Sequence, residues 1–334
     1  SRQQIRDYLE MYDRTAAAVM EVCPELHYGG PAISGNTVFL REFLRHCISG
    51  RNAVDGTPGS RMNFVSFHCY SNSTDRYPAM ENMLGRIAEL TEQVTRAVEG
   101  RDVPLIMDEW GATWGGGRTV DMGYPVEHRN SLRAASFTLK LVKELIRYDL
   151  DMALYWGFSE HTWYNKNSMH DFNGMRALWT YSGLPRPAVG AYRLLKRLFP
   201  QTVRVHRLVD TNNVDALATF AGDELRAMVW HHDPDPLDTG LASTGEIIID
   251  RLPEEHTTAR ITLEGYTREH NTYAEWIARG RPDTPEGADR QAILDKAEPT
   301  MVWRKEVPIE SRAVTTGEFP IRPGELFLLT MELS

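Results

Sequence analysis

Across residues 1–200 the apolar positions switch repeatedly between helical and strand spacing, and that alternation restricts this part of the chain to a parallel sheet wrapped by helices. Ile5, Leu9, Tyr12, Ala16, Val19 and Met20 recur at steps of three and four, which predicts a helix over 3–22 that stops at Pro24. Further helices are expected at 36–49, with Asn36 or Thr37 as cap and Phe39, Leu40, Phe43 and Leu44 on one face, and at 79–99, 129–148 and 187–199. Between them lie four short apolar runs: 26–32, which closes on Gly29-Gly30-Pro31-Ala32, then 63–70, 103–109 and 152–158. A complete (β/α)8 barrel needs eight strands and typically about 250 residues. Four strands therefore fit half a barrel or a smaller open sheet.

Near residue 200 the period changes. Short β-rich runs follow at 202–208, 216–220, 225–230, 246–249, 259–263, 301–307 and 326–331, separated by turn signals such as Gly222-Asp223 and Pro323-Gly324, with one helical stretch near 273–279. That spacing reads as a β-sandwich. The expected organisation is α/β plus all-β, with residues 1–200 in the four β/α units and 201–334 in the sandwich. A chain of 334 residues is long enough for both, because single cores stop growing at about 250–300 residues.

The net charge of -9 argues against nucleic acid or an anionic membrane surface as partner, while a neutral carbohydrate is indifferent to it. No apolar run approaches the roughly 18 residues of a membrane span, so a soluble chain is expected, cytoplasmic or secreted. Ser1-Arg2-Gln3-Gln4 passes straight into helical periodicity with no signal-peptide pattern. Cys23, Cys47 and Cys69 have no metal-site spacing and read as free, mostly buried thiols. Gly115-Gly116-Gly117 lacks the spacing and Lys-Ser/Thr of a phosphate loop, and His231-His232 reads as solvated surface. No cofactor or metal is expected.

The run Leu105-Ile106-Met107-Asp108-Glu109-Trp110 ends abruptly in two carboxylates, and a parallel barrel delivers its catalytic acids at the C-terminal tips of its strands. Adjacent strand residues face opposite sides, so only one of Asp108 and Glu109 is expected to point into a barrel mouth. A paired-carboxylate mechanism, such as retaining glycoside hydrolysis with its two carboxyls about 5–5.5 Å apart, would take its second acid from another strand. Spacing alone is equally compatible with Glu109 pairing with an arginine at the rim. On the neighbouring strand Ser66, His68 and Tyr70 share one face, where His68 and Tyr70 could bond sugar hydroxyls, orient a carboxylate or serve only structure. Trp110, Trp114, Trp156, Phe158 and Trp163 cluster at strand ends and in the following loops, suited either to the apolar face of a pyranose or to the core.

With these residues assembled, the chain resembles family 39 of the glycoside hydrolases, the β-xylosidases and α-L-iduronidases. Tyr28-Gly29-Gly30-Pro31-Ala32 is similar to the family's fifth strand, and Val65-Ser66-Phe67-His68-Cys69-Tyr70 to its Ser-x-His-x-Tyr sixth strand. The 105–110 run resembles the seventh strand, which ends in the nucleophilic Glu followed by Trp. Tyr155-Trp156-Gly157-Phe158-Ser159-Glu160 resembles the eighth, with Glu160 where Asp is usual. Gly183-Leu184-Pro185-Arg186-Pro187 looks like the start of the closing helix, and the stretch from Glu269 to Trp276 with Gly280 and Pro282 like a pattern of the family's sandwich.

The resemblance implies a retaining exo-glycosidase acting on β-xylosides or related glycosides, with Glu109 as nucleophile and His68, Tyr70, Trp156 and Glu160 as substrate-binding residues. It also exposes a departure: the family's acid/base is the Glu of an Asn-Glu-Pro motif ending strand four, and this sequence has none. The helix at 3–22 looks like the one that follows that strand. The chain is accordingly expected to hold the C-terminal half of the barrel, strands five to eight, plus the sandwich. Alone it is expected to be nearly inactive, with the missing N-terminal half-barrel or another copy as partner. The alternative is a non-catalytic carbohydrate-binding or scaffolding protein, and a third reading recruits Glu160 as acid/base.

Overall fold

The computed structural model describes residues 2–70, 80–111, 127–148, 150–159, 170–172, 177–208, 213–233 and 242–334. By its contacts the chain divides into two compact units, one of residues 1–114 with 144–156, the other of 115–143 with 157–334.

The first unit is built on a four-stranded parallel sheet in the order β1 (Gly30–Ser34), β2 (Val65–Tyr70), β3 (Leu105–Gly111), β4 (Met152–Tyr155). Its helices are α1 (Arg2–Val22), α2 (Thr37–Ser49) and α3 (Met80–Ala97). Asn36 is the cap of α2, its side chain accepting from the Phe39 N–H at 3.0 Å. Leu40, Phe43, Leu44 and Cys47 on α2 and Met83, Ile87, Leu90 and Val94 on α3 are buried, as their three- and four-residue spacing predicts. In β2 the alternation also holds: Val65, Phe67 and Cys69 form one buried face, and the Cys69 thiol reaches the Met83 carbonyl of α3 at 3.6 Å. Buried Asp13 on α1 fastens the 50–60 loop by accepting from the Ala53 N–H at 2.7 Å and from Ser60, with His46 at 2.9 Å.

The second unit contains α4 (Glu127–Asn130), most of α5 (Leu132–Leu145), α6 (Pro187–Leu195), the strands from β5 onward and two further helices, α7 (Thr272–Ala278) and α8 (Gly287–Asp295). Its main sheet has six antiparallel strands: β5 (Thr202–Val203), β6 (Val214–Ala221), β7 (Glu224–His231), β10 (Thr258–Tyr266), β11 (Thr300–Pro308) and β14 (Leu326–Leu333), ordered β11-β10-β14-β7-β6-β5. Two ribbons, β8 (Ser243–Gly245) with β13 (Phe319–Ile321) and β9 (Ile248–Ile249) with β12 (Val314–Thr315), complete the β structure. Phe327, Leu329 and Met331 pack with Ile249, Val314, Phe319 and Ile321 of the ribbons. Leu326 and Leu328, with Met228, Trp230 and Tyr266, pack on Leu132, Ala135 and Leu139 of α5 and Ala191 and Leu194 of α6. Because both faces of β14 are covered, the strand is apolar at nearly every position. The change of period near residue 200 thus marks where strands begin, while the apolar faces of α5 and α6 lie on the sheet that follows.

Several expectations are corrected. His231 and His232 are buried, at 3% and 4% exposure, because this end of β7 lies under neighbouring chain: His231 Nδ1 is 3.2 Å from the Ile321 carbonyl and His232 Nδ1 is 3.0 Å from Ser136 Oγ on α5. The run at 202–208 is strand only at its first two residues, and 246–249 only at its last two. Helix α8 gives almost no amphipathic signal, since Ile293 is its one buried residue. Cys47 and Cys69 are buried and Cys23 half-buried, all three as free thiols. Among the described residues no helix is long and apolar enough to cross a membrane.

Candidate active site

The C-terminal tips of β2 and β3 bring the site together. Parallel pairing sets Phe67 opposite Met107 and then His68 opposite Glu109, so the register slips by one and Asp108 is the surplus residue. A bulge of this kind re-aims side chains and is over-represented beside active sites. The expectation that Asp108 and Glu109 face opposite sides is overturned here. His68 Nε2 lies 3.6 Å from Asp108 Oδ1, and His68 Nδ1 lies 3.3 Å from Glu109 Oε2, so both acids address one imidazole.

Glu109 is held from two directions. The Tyr70 hydroxyl donates to Oε1 at 2.5 Å, and His68 stands at Oε2. The carboxylate is 14% exposed, accessible yet largely withdrawn from water. Among the described residues its partners are a phenol and an imidazole. Gly111 is the last residue of β3, and a Cβ there would lie 3.1 Å from Cε1 of the Tyr70 ring. Only a residue without a side chain lets Tyr70 lie across to Glu109 at ordinary contact distance. Cys69, between the two site residues of β2, points the other way, and burial pushes its thiol up to about 11.

The aromatic candidates divide. Trp110 is 1% exposed and meets Tyr155 edge-on at 4.9 Å, so it is core. Trp156, whose N–H donates to the Trp110 carbonyl at 2.9 Å, is 39% exposed and available to a ligand. Phe158, in the second unit, is 72% exposed and stacks on Trp179 at 4.7 Å. Glu160, Trp114 and Trp163 lie outside the described residues.

A carboxylate held beside a tyrosine and a histidine at the C-terminal tips of parallel strands stands where a parallel α/β sheet presents its reactive groups. The chain belongs to the glycosyl hydrolases family 39, whose model matches residues 1–313. It is 24% identical over 278 residues to a β-xylosidase of Caldicellulosiruptor saccharolyticus, covering 78% of this chain and 53% of that protein. To a β-xylosidase of Geobacillus stearothermophilus it is 25% identical over 328 residues, covering 93% and 58%. The chain thus spans little more than half the length of these relatives. Among solved structures, a bacterial orthologue of human α-L-iduronidase shares the fold at a TM-score of 0.77 and 15% identity, over 99% of this chain and 59% of that one. This likeness implies the parallel barrel with sandwich that the family adopts, of which four strands and the antiparallel sheets are seen here.

Proposed function

We propose that this chain carries the nucleophile side of a retaining β-xylosidase site, and that the general acid/base comes from polypeptide outside these 334 residues. The observation that carries the reading is Glu109, which accepts from the Tyr70 hydroxyl at Oε1 and has His68 Nδ1 3.3 Å from Oε2. In this role Glu109 attacks the anomeric carbon, the glycosidic bond breaks, and the leaving oxygen takes a proton from the second carboxyl. Water, deprotonated by that same group, then releases the sugar. Trp156 offers an exposed indole face to the ring of the sugar.

Two observations support a partner that completes the barrel. The sequence has no Asn-Glu-Pro, and β4, an edge strand, exposes Met152 and Leu154 at 49% and 47%. Exposed apolar edges are a liability that a pairing partner removes. Loss of an acid/base typically costs about 10²–10⁴-fold, so the chain alone is expected to be nearly silent on unactivated xylosides.

The test is complementation. The chain is mixed with a separately produced four-strand barrel segment bearing the Asn-Glu-Pro acid, and hydrolysis of an aryl β-xyloside is followed. Turnover that vanishes with Glu109→Gln supports the reading. A demonstrated complex that remains inactive, or one equally active with Glu109→Gln, refutes it.

A further inference from the structure

We infer that Asp108 is a positioning residue that acts on Glu109 through His68. The inference deepens the reading of Glu109 as nucleophile and rests on it. Had β3 continued without the slip, Asp108 would point to the opposite face of the sheet from Glu109. Instead the bulge places the imidazole between two carboxylates, 3.6 Å from Asp108 Oδ1 at Nε2 and 3.3 Å from Glu109 Oε2 at Nδ1.

Two further features make Asp108 more than a bystander. Among the described residues its Oδ1 is buried and makes no hydrogen bond, and the one basic side chain within 4 Å of it is His68. A carboxylate oxygen shut away from water without a donor works against folding, so stability gives no reason for its presence. Each of the two acids needs a donor from the same ring, and imidazole offers one at each nitrogen when both carry a proton. A carboxylate behind a histidine fixes the ring's orientation and the nitrogen that faces the reacting group. The 3.6 Å gap is of the kind that closes when substrate binds, as catalytic contacts are commonly long in its absence. Asp108 would thereby hold Nδ1 on Oε2 while Tyr70 holds Oε1, and Glu109 keeps one attack geometry.

The experiment has two arms. In the complemented enzyme, trapping by a 2-deoxy-2-fluoro-β-xyloside with a dinitrophenolate leaving group isolates the nucleophilic step. Asp108→Ala is expected to slow trapping about tenfold or more, as for one charge-assisted contact. KM for an aryl xyloside should be little changed, and no further slowing should follow when His68 is already Gln. Equal slowing in both backgrounds overturns the inference, because a role through His68 must disappear with His68. The second arm needs no activity. In 15N-histidine-labelled chain, Asp108→Asn, which preserves shape, is expected to move the ring-nitrogen resonances of His68 while leaving those of distant histidines in place. Unmoved His68 resonances overturn the inference. If the fluoro-sugar fails to label Glu109, the nucleophile assignment falls, whereas the resonance arm still decides whether Asp108 governs His68.

Discussion

Replacing Tyr70 by Phe removes one atom and tests the grip on Glu109 directly. The lost hydroxyl donates at 2.5 Å to a carboxylate that is 14% exposed. Hydrogen bonds to charged groups contribute about 1.5–3 kcal/mol, and each 1.4 kcal/mol is tenfold in rate, so the nucleophilic step should slow about 10- to 150-fold. The ring itself is retained: Tyr70 is 3% exposed and its edge rests on Gly111, so packing should survive and the melting temperature should move little. The assay is the rate of covalent labelling of Glu109 by the fluoro-sugar in the complemented enzyme, followed by intact mass, with the dissociation constant of the inhibitor taken from the concentration dependence. Labelling at the unaltered rate would refute the argument, since it would mean that the hydroxyl does nothing for the attacking carboxylate. A loss confined to binding would refute it as well.

Other expectations follow from packing and ionisation. Burial raises Cys69 to about 11, and Cys47, Tyr8 and Tyr266 to about 12, so the fold binds more protons than the unfolded chain in that range. Stability should be intact below about pH 9 and fall as pH rises through these values, by on the order of 2–3 kcal/mol from Cys69 alone, measured as urea midpoints against pH. In the native chain at pH 8 iodoacetamide should alkylate Cys23 and spare buried Cys47 and Cys69, giving one adduct by mass against three after denaturation. Leu329→Ala, at a fully buried position between the sheet and its ribbons, should cost about 2–5 kcal/mol in denaturant unfolding. Gly265→Ala should cost about 3 kcal/mol or more, because the new Cβ would clash with the Leu326 carbonyl oxygen and only separation of β10 from β14 relieves it.

Much of this chain can be read from local spacing. The three- and four-residue steps of α1, α2 and α3 predict the faces that are buried, the start of α2 is legible from Asn36 and Thr37 as alternative caps, and the period of two in β2 separates Cys69 from His68 and Tyr70. Glu109 is visible as an acid at the tip of an apolar strand, and the ordered motifs around it suffice for the family. These features depend on residues a few positions apart, whose geometry the backbone fixes.

What the sequence left open depends on partners far along the chain. Whether His231 and His232 are wet is decided by α5 and by the Ile321 segment that lie over them, neither adjacent in sequence. Gly111 and Gly265 look like ordinary loop or strand glycines until Tyr70 and Leu326 are set against them. The sequence by itself determined the helices of the first unit, their buried faces and the presence of a strand-tip carboxylate. Only the tertiary structure decided that Asp108 and Glu109 share one imidazole, because that outcome is a property of the register between β2 and β3, and register is written in the pairing of two strands and not in either one.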